Sequence, residues 1–178
     1  MLSDNRQTMT RKLTLTILSL TFIFSCDRVM PGGLWDKFET DLRVEKQSDQ
    51  GPWGGTRSYY WRSETLGHFN KAQIIDFAST NGWTLIESKK YKGEEIRNLK
   101  ASGKPTFTIQ IGPLEPSSDD NFLEQDFPRW TNTDLTLYKF KTGWLIFKPG
   151  TDNSTEINGF VLISEDEKEM TVYHLWGE

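Results

Sequence analysis

The sequence has one cysteine, Cys26, and two histidines, His68 and His174, among its 178 residues. A single thiol excludes a disulfide within the chain. Two imidazoles without HExxH spacing exclude the common helical zinc motif. Serine-nucleophile signatures are missing, since neither GxSxG nor SxxK occurs. No phosphate loop is present either. The one glycine-dense stretch, Gly51-Pro52-Trp53-Gly54-Gly55, lacks the lysine and the following helix that such a loop requires. No apolar run approaches the ~20 residues needed to span a bilayer, and no internal repeat is visible.

The longest apolar run is Leu13 to Phe24, made only of apolar residues, Thr and Ser, with Arg11 and Lys12 before it. A basic flank, a short apolar core and a small residue, Ser25, form the pattern of a secretory signal. An ordinary cleavage site would place small residues at 23 and 25, and position 23 is isoleucine. The tetrad Ile23-Phe24-Ser25-Cys26 instead resembles the lipobox of bacterial lipoproteins. The resemblance covers about the first 26 residues. It implies cleavage before Cys26, a thioether-linked diacylglycerol on its sulfur and an acyl chain on its new amino group. Residues 1–25 are then a signal peptide. The leader before Met9 carries Asp4, and a start at Met9 yields a cleaner signal. Asp27 resembles the inner-membrane retention signal of some Gram-negative lipoproteins. The plainer alternative for Cys26 is a buried thiol in a core helix.

Of 21 basic and 25 acidic side chains, residues 1–25 hold three and one, which leaves 18 and 24 and a net charge of −6. That sign argues against a nucleic-acid partner, because phosphate neutralisation needs a basic surface. Residues 26–33 read as a tether marked by Pro31, Gly32 and Gly33, and 34–178 as a single globular domain. Seven Trp, five Tyr and eleven Phe supply large buried area in a chain of modest aliphatic content.

The expected fold class is α+β, an antiparallel sheet of about five to six strands packed with one main helix. Leu34, Trp35, Phe38 and Leu42 recur near helical spacing and predict a short helix. "TRSYYWRSET" (56–65) predicts a strand. The main helix follows Asn70, an N-cap residue with Gln73 three positions on. Its apolar stripe is Ala72, Ile75 and Ala78, with Ile74 and Phe77 beside them, and Gly82 ends it. Strands are then expected at 83–91, at 106–112 with Phe107, Ile109 and Ile111 on one face, at 134–141, 143–149, 159–164 and 170–176. Thr142-Gly143 is expected to join two of these as a tight turn, and 165–169 to form a charged hairpin turn. Residues 113–130 read as loop.

Candidate chemistry is sparse. His68 and His174 read as structural. The acidic runs 117–126 and 164–169 lack EF-hand spacing and read as solvated loops. No metal and no cofactor is indicated. The aromatic set Trp53, Tyr59, Tyr60 and Trp61 is the one candidate contact surface. Consecutive strand residues face opposite sides, so one of its rings lies outside the primary core or under a second layer. The plainer reading is that these rings pack beneath the helix or the N-terminal segment. The function expected is that of a lipid-anchored envelope protein, a non-enzymatic binding module held at the membrane by Cys26, with a protein or saccharide partner. The alternative is a small envelope hydrolase using paired carboxylates.

Overall fold

The computed structural model describes residues 30–103, 106, 107, 109, 111, 127–130 and 132–178. Cys26, the leader and the acidic run 117–126 lie outside the described residues.

Two 3-10 turns, Gly33–Lys37 and Thr40–Leu42, open the fold where one short helix is expected. Phe38 is extended and Glu39 takes φ +37, so the helical path breaks between them. Among the described residues six strands follow: β1 (Arg43–Gln50), β2 (Gly54–Arg62), β3 (Thr84–Tyr91), β4 (Leu135–Phe147), β5 (Ser154–Ser164) and β6 (Glu169–Gly177). Among the described residues there are two α-helices, α1 (Lys71–Thr80) after β2 and α2 (Gly93–Ala101) after β3, where the sequence predicts one main helix.

The sheet order is β1-β2-β6-β5-β4-β3, and every neighbouring pair in it is antiparallel. β2 and β3 therefore run the same way with three strands between them, and α1 lies in the connection that crosses from one to the other. Asn70 caps α1 by accepting from the N–H groups of Ala72 (3.0 Å) and Gln73 (3.3 Å). At its other end Gly82 takes φ +92, Gly82 N–H donates to Ser79 and Trp83 N–H to Ala78, which is a Schellman ending. Ile74 and Ala78 are the buried residues of α1, while Ala72 is exposed and Ile75 half-buried.

Each face of the sheet has its own apolar cluster. The first joins Trp35, Ile74, Ala78 and Trp83 to Tyr59, Trp61, Phe140, Val161 and Val172 of the strands. The second joins Ile96 of α2 with Phe107, Ile109, Ile111 and Phe127 to Leu137, Phe160, Leu162 and Tyr173. The period-two spacing of Phe107, Ile109 and Ile111 thus puts all three into one cluster, although none belongs to an assigned strand.

Thr142-Gly143 does not reverse the chain. Gly143 has φ +82, and β4 runs through it with a register shift between Lys141 and Ile146. Both apolar runs of β4 find their ladder partners on β5, so neither needs the other. Beyond this bend Ile146 also pairs in parallel with Gly177 of β6. The register places the loop Gly51–Trp53, Gly177 and Phe147 at one end of the sheet, here the Trp53 end. The β5–β6 turn, with Glu165 to Lys168, lies at the opposite end and is the charged turn expected from the sequence.

Candidate functional site at the Trp53 end

The loop between β1 and β2 holds Trp53 outward on a fixed backbone. Gly51 N–H donates to Gly54 O (2.8 Å), and Glu178 N–H donates to Trp53 O (3.1 Å). Around it the chains touch without side chains between them. A Cβ on Gly54 would lie 2.2 Å from Trp176 O, one on Gly55 2.4 Å from Asp49 O, and one on Gly177 2.0 Å from Trp53 O. Only glycine permits so close an approach. The indole of Trp53 is nevertheless 77% exposed.

Tyr59, Tyr60 and Trp61 are buried, at 0%, 1% and 0% exposure, so they are core residues and not part of an accessible contact surface. Tyr59 and Trp61 stack in the first cluster beneath the N-terminal segment. The Tyr59 hydroxyl donates to Gly32 O (3.2 Å) and Trp61 Nε1 donates to Phe38 O (3.1 Å). Burial, and then the nearby Asp36 carboxylate, push the Tyr59 phenol up to about 12. Tyr60 faces the other way, edge-on to Trp130 with the Arg129 guanidinium 5.1 Å above its ring. The second layer anticipated for one of these rings is thus the 127–130 segment.

The N-terminal segment is pinned where it joins the sheet. Trp35 is fully buried. Asp36 faces three cations, Lys46, Arg57 (3.6 Å) and Arg43 (3.9 Å), from β1 and β2. Arg57 is itself 4% exposed, so this pair holds the 3-10 turn against the sheet from inside. Above the segment lies a cleft of about 540 Å³, lined by Met30, Leu34, Phe77, Trp83, Thr142 and Trp144 among others.

Beneath this cleft runs a polar chain unseen in the sequence. His174, fully buried, lies opposite Arg57 in the β2–β6 register. Its Nε2 is 3.0 Å from Thr142 Oγ1, which is 2.7 Å from Asn158 Oδ1. Asn158 Nδ2 donates to the carbonyls of Trp144 (3.1 Å) and Leu175 (3.0 Å). Trp83 and Trp176 flank the imidazole, each with its ring centre 5.3 Å away. Burial, reinforced by the Arg57 charge, lowers the His174 pKa to about 3. A fully buried imidazole with one nitrogen engaged in this chain of hydrogen bonds serves the packing of the sheet. The signal that could have found it is the pair Asn158-Gly159 inside an apolar run. Gly159 leaves no room for a Cβ, which would lie 2.5 Å from Thr142 and 2.7 Å from Trp83.

His68 is partly exposed and sits 3.7 Å from Glu39. In the 164–169 turn the acidic groups serve the turn and its neighbours. Ser164 Oγ donates to Asp166 (2.6 Å), and Glu165 pairs with Lys71 (3.1 Å) and Lys90 (3.4 Å), which lower its pKa. Among the described residues no group of three or more His, Cys, Asp or Glu side chains is placed to hold a metal ion. No helix among them is long and apolar enough to cross a membrane. No protein-family model, no curated protein and no solved structure matches this chain.

Proposed function

We propose that this chain is a lipid-anchored protein of the bacterial cell envelope, acylated on Cys26, whose domain is a non-enzymatic binding module presenting Trp53 to its partner. One observation carries the contact assignment. Trp53 is 77% exposed on a loop whose backbone is held by the C-terminal strand through glycine-only contacts. A rigid, preorganised aromatic ring is the kind of group that dominates binding energy at an interface. The sheet beneath it, with α1 as its main helical cover, serves as the support. The anchoring assignment rests on the basic flank, the apolar run and the Ser25-Cys26 junction. Two or more acyl chains hold stably where one holds only marginally. Asp27 favours the inner membrane where the Gram-negative sorting rule applies.

Metabolic labelling with an alkyne fatty acid tests the anchor. Label is expected on the wild type and absent from Cys26→Ser, and an unlabelled wild type rejects it. Trp53→Ala tests the contact. Partner capture from envelope extracts is expected to fall while the melting temperature stays within a degree or two, since exposed positions contribute little to stability. Undiminished capture moves the contact elsewhere.

A further inference from the structure

Among the described residues the exposed large apolar side chains are not scattered: all but Val44 and Leu66 lie at or beside the Trp53 end. Trp53 stands on one side of Gly177, whose neighbours in the sheet are Gly54 and Ile146. On the other side Trp144, Leu145 and Phe147 are 37%, 39% and 39% exposed around the buried Ile146. Leu85 and Ile86 stand exposed near the same end, at the start of β3. A second hollow of about 440 Å³ lies between Trp53, Ile146 and Trp176. Clustered apolar exposure of this kind marks a contact face.

The chain enters the domain at that same end. Met30, 48% exposed, lines the cleft together with Trp144. From Cys26 to Met30 is four residues, at most ~14 Å of extended chain. Met30 itself leads into a pinned segment: Gly33 N–H donates to Met30 O (3.0 Å), Trp35 is buried, and Asp36 is held by β1 and β2. A short tether on a fixed attachment point leaves the domain little freedom to turn another end toward the lipid.

We infer that the Trp53 end is a bilayer-contact face: the acylated domain lies with Trp53, Trp144, Leu145 and Phe147 in the headgroup region and its charged β5–β6 turn pointing away. This rests on the anchoring proposed above, and it names the lipid surface as what Trp53 meets. The chemistry suits the site. Indole rings favour the boundary between headgroups and acyl chains, because they have an apolar body and one polar N–H. The net charge of −6 after residue 25 opposes attraction to anionic lipid, so apolar insertion holds the contact. It is therefore expected to persist as salt is raised.

The test uses the full acylated chain in phosphatidylethanolamine–phosphatidylglycerol vesicles. With Cys26 acylated, an introduced cysteine is the sole reactive thiol. Leu145→Cys or, should that variant misfold, Phe147→Cys carries an environment-sensitive fluorophore, and Leu66→Cys at the opposite end is the reference. At the Leu145 position, quenching by aqueous iodide is expected to fall several-fold relative to Leu66, with strong quenching by a headgroup-level nitroxide lipid that leaves Leu66 untouched. A chain that floats with the vesicles while its Leu145 label stays as open to iodide as Leu66 overturns the docking and leaves the anchor standing. Shielding from iodide without nitroxide quenching means that protein covers the face, and likewise overturns it. A chain that does not float rejects the anchor, and the docking with it.

Discussion

His174 and Thr142 are joined by a bond that can run only one way. The Asn158 amide gives both its N–H groups to the carbonyls of Trp144 and Leu175, so its oxygen faces Thr142. Thr142 must then donate to that oxygen, and its own oxygen accepts from His174 Nε2–H. The buried imidazole is thereby fixed as the Nε2–H tautomer, with Nδ1 bare beside Gly32 and without a hydrogen-bond partner among the described residues.

Acid should act on this site. Protonation would add a buried charge on Nδ1, close to Arg57. The folded-state pKa, about 3, lies below the ordinary value of 6.5. Between those values the unfolded chain binds the extra proton and the folded chain does not. The contribution is therefore complete above about pH 6.5 and is lost as pH falls toward 3, amounting to roughly 3 kcal/mol between pH 7 and pH 4. Urea melts at several pH values should show this slope in the wild type and a shallower one in His174→Gln. Carboxylates contribute equally to both proteins, so the difference isolates the imidazole.

The α1 stripe offers a sharper contrast than its sequence suggests. Ile74 is 3% exposed within the first cluster, whereas Ala72 is exposed. Ile74→Asp buries an unpaired carboxylate and is expected to destabilise the fold by about 4 kcal/mol or more, against less than about 0.5 kcal/mol for Ala72→Asp. Equal thermal melts for the two variants would show that α1 does not hold the sheet.

Two glycines with positive φ separate backbone strain from close contact. Gly82 has φ +92 and nothing within 4 Å of a built Cβ; Gly177 has φ +85 and the Trp53 carbonyl at 2.0 Å. Gly82→Ala should cost about 1 kcal/mol, the left-handed backbone alone. Gly177→Ala should cost several-fold more and release the Trp53 loop. Chemical denaturation measures the first effect, and amide exchange at Glu178 and Gly51 the second.

What the sequence made legible follows from where each element gets its stability. α1 carries its own signals, the Asn70 cap and the Gly82 ending, and both function as expected. β5 and β6 are apolar enough to announce themselves. β1 is not: as an edge strand it exposes most of its side chains, so "RVEKQSDQ" carries no alternation. α2 buries Ile96 and Gly93, too thin a stripe to show a period. Thr142-Gly143 looks like a hairpin turn because the tertiary pairing of both halves of β4 with β5 is not local information. At the candidate site, the flanking glycines and proline were enough to indicate that Trp53 lies on an exposed loop. Tyr59, Tyr60 and Trp61 are equally aromatic. Their burial depends on the N-terminal turn and the 127–130 segment, which are distant in sequence.

The strand order carries a consequence for assembly. Among the described strands β6 comes last in sequence, yet it stands between β2 and β5 near the middle of the sheet. Without it, the β1–β2 hairpin and the β3–β4–β5 block have no ladder between them, the first cluster lacks Met170 and Val172, and the second lacks Tyr173. Such non-local pairing slows folding. Closure of the sheet therefore waits for the residues of β6. Damage to this nine-residue strand therefore takes the ladder partner from β2 and from β5 at once, and opens the sheet on both sides of the break.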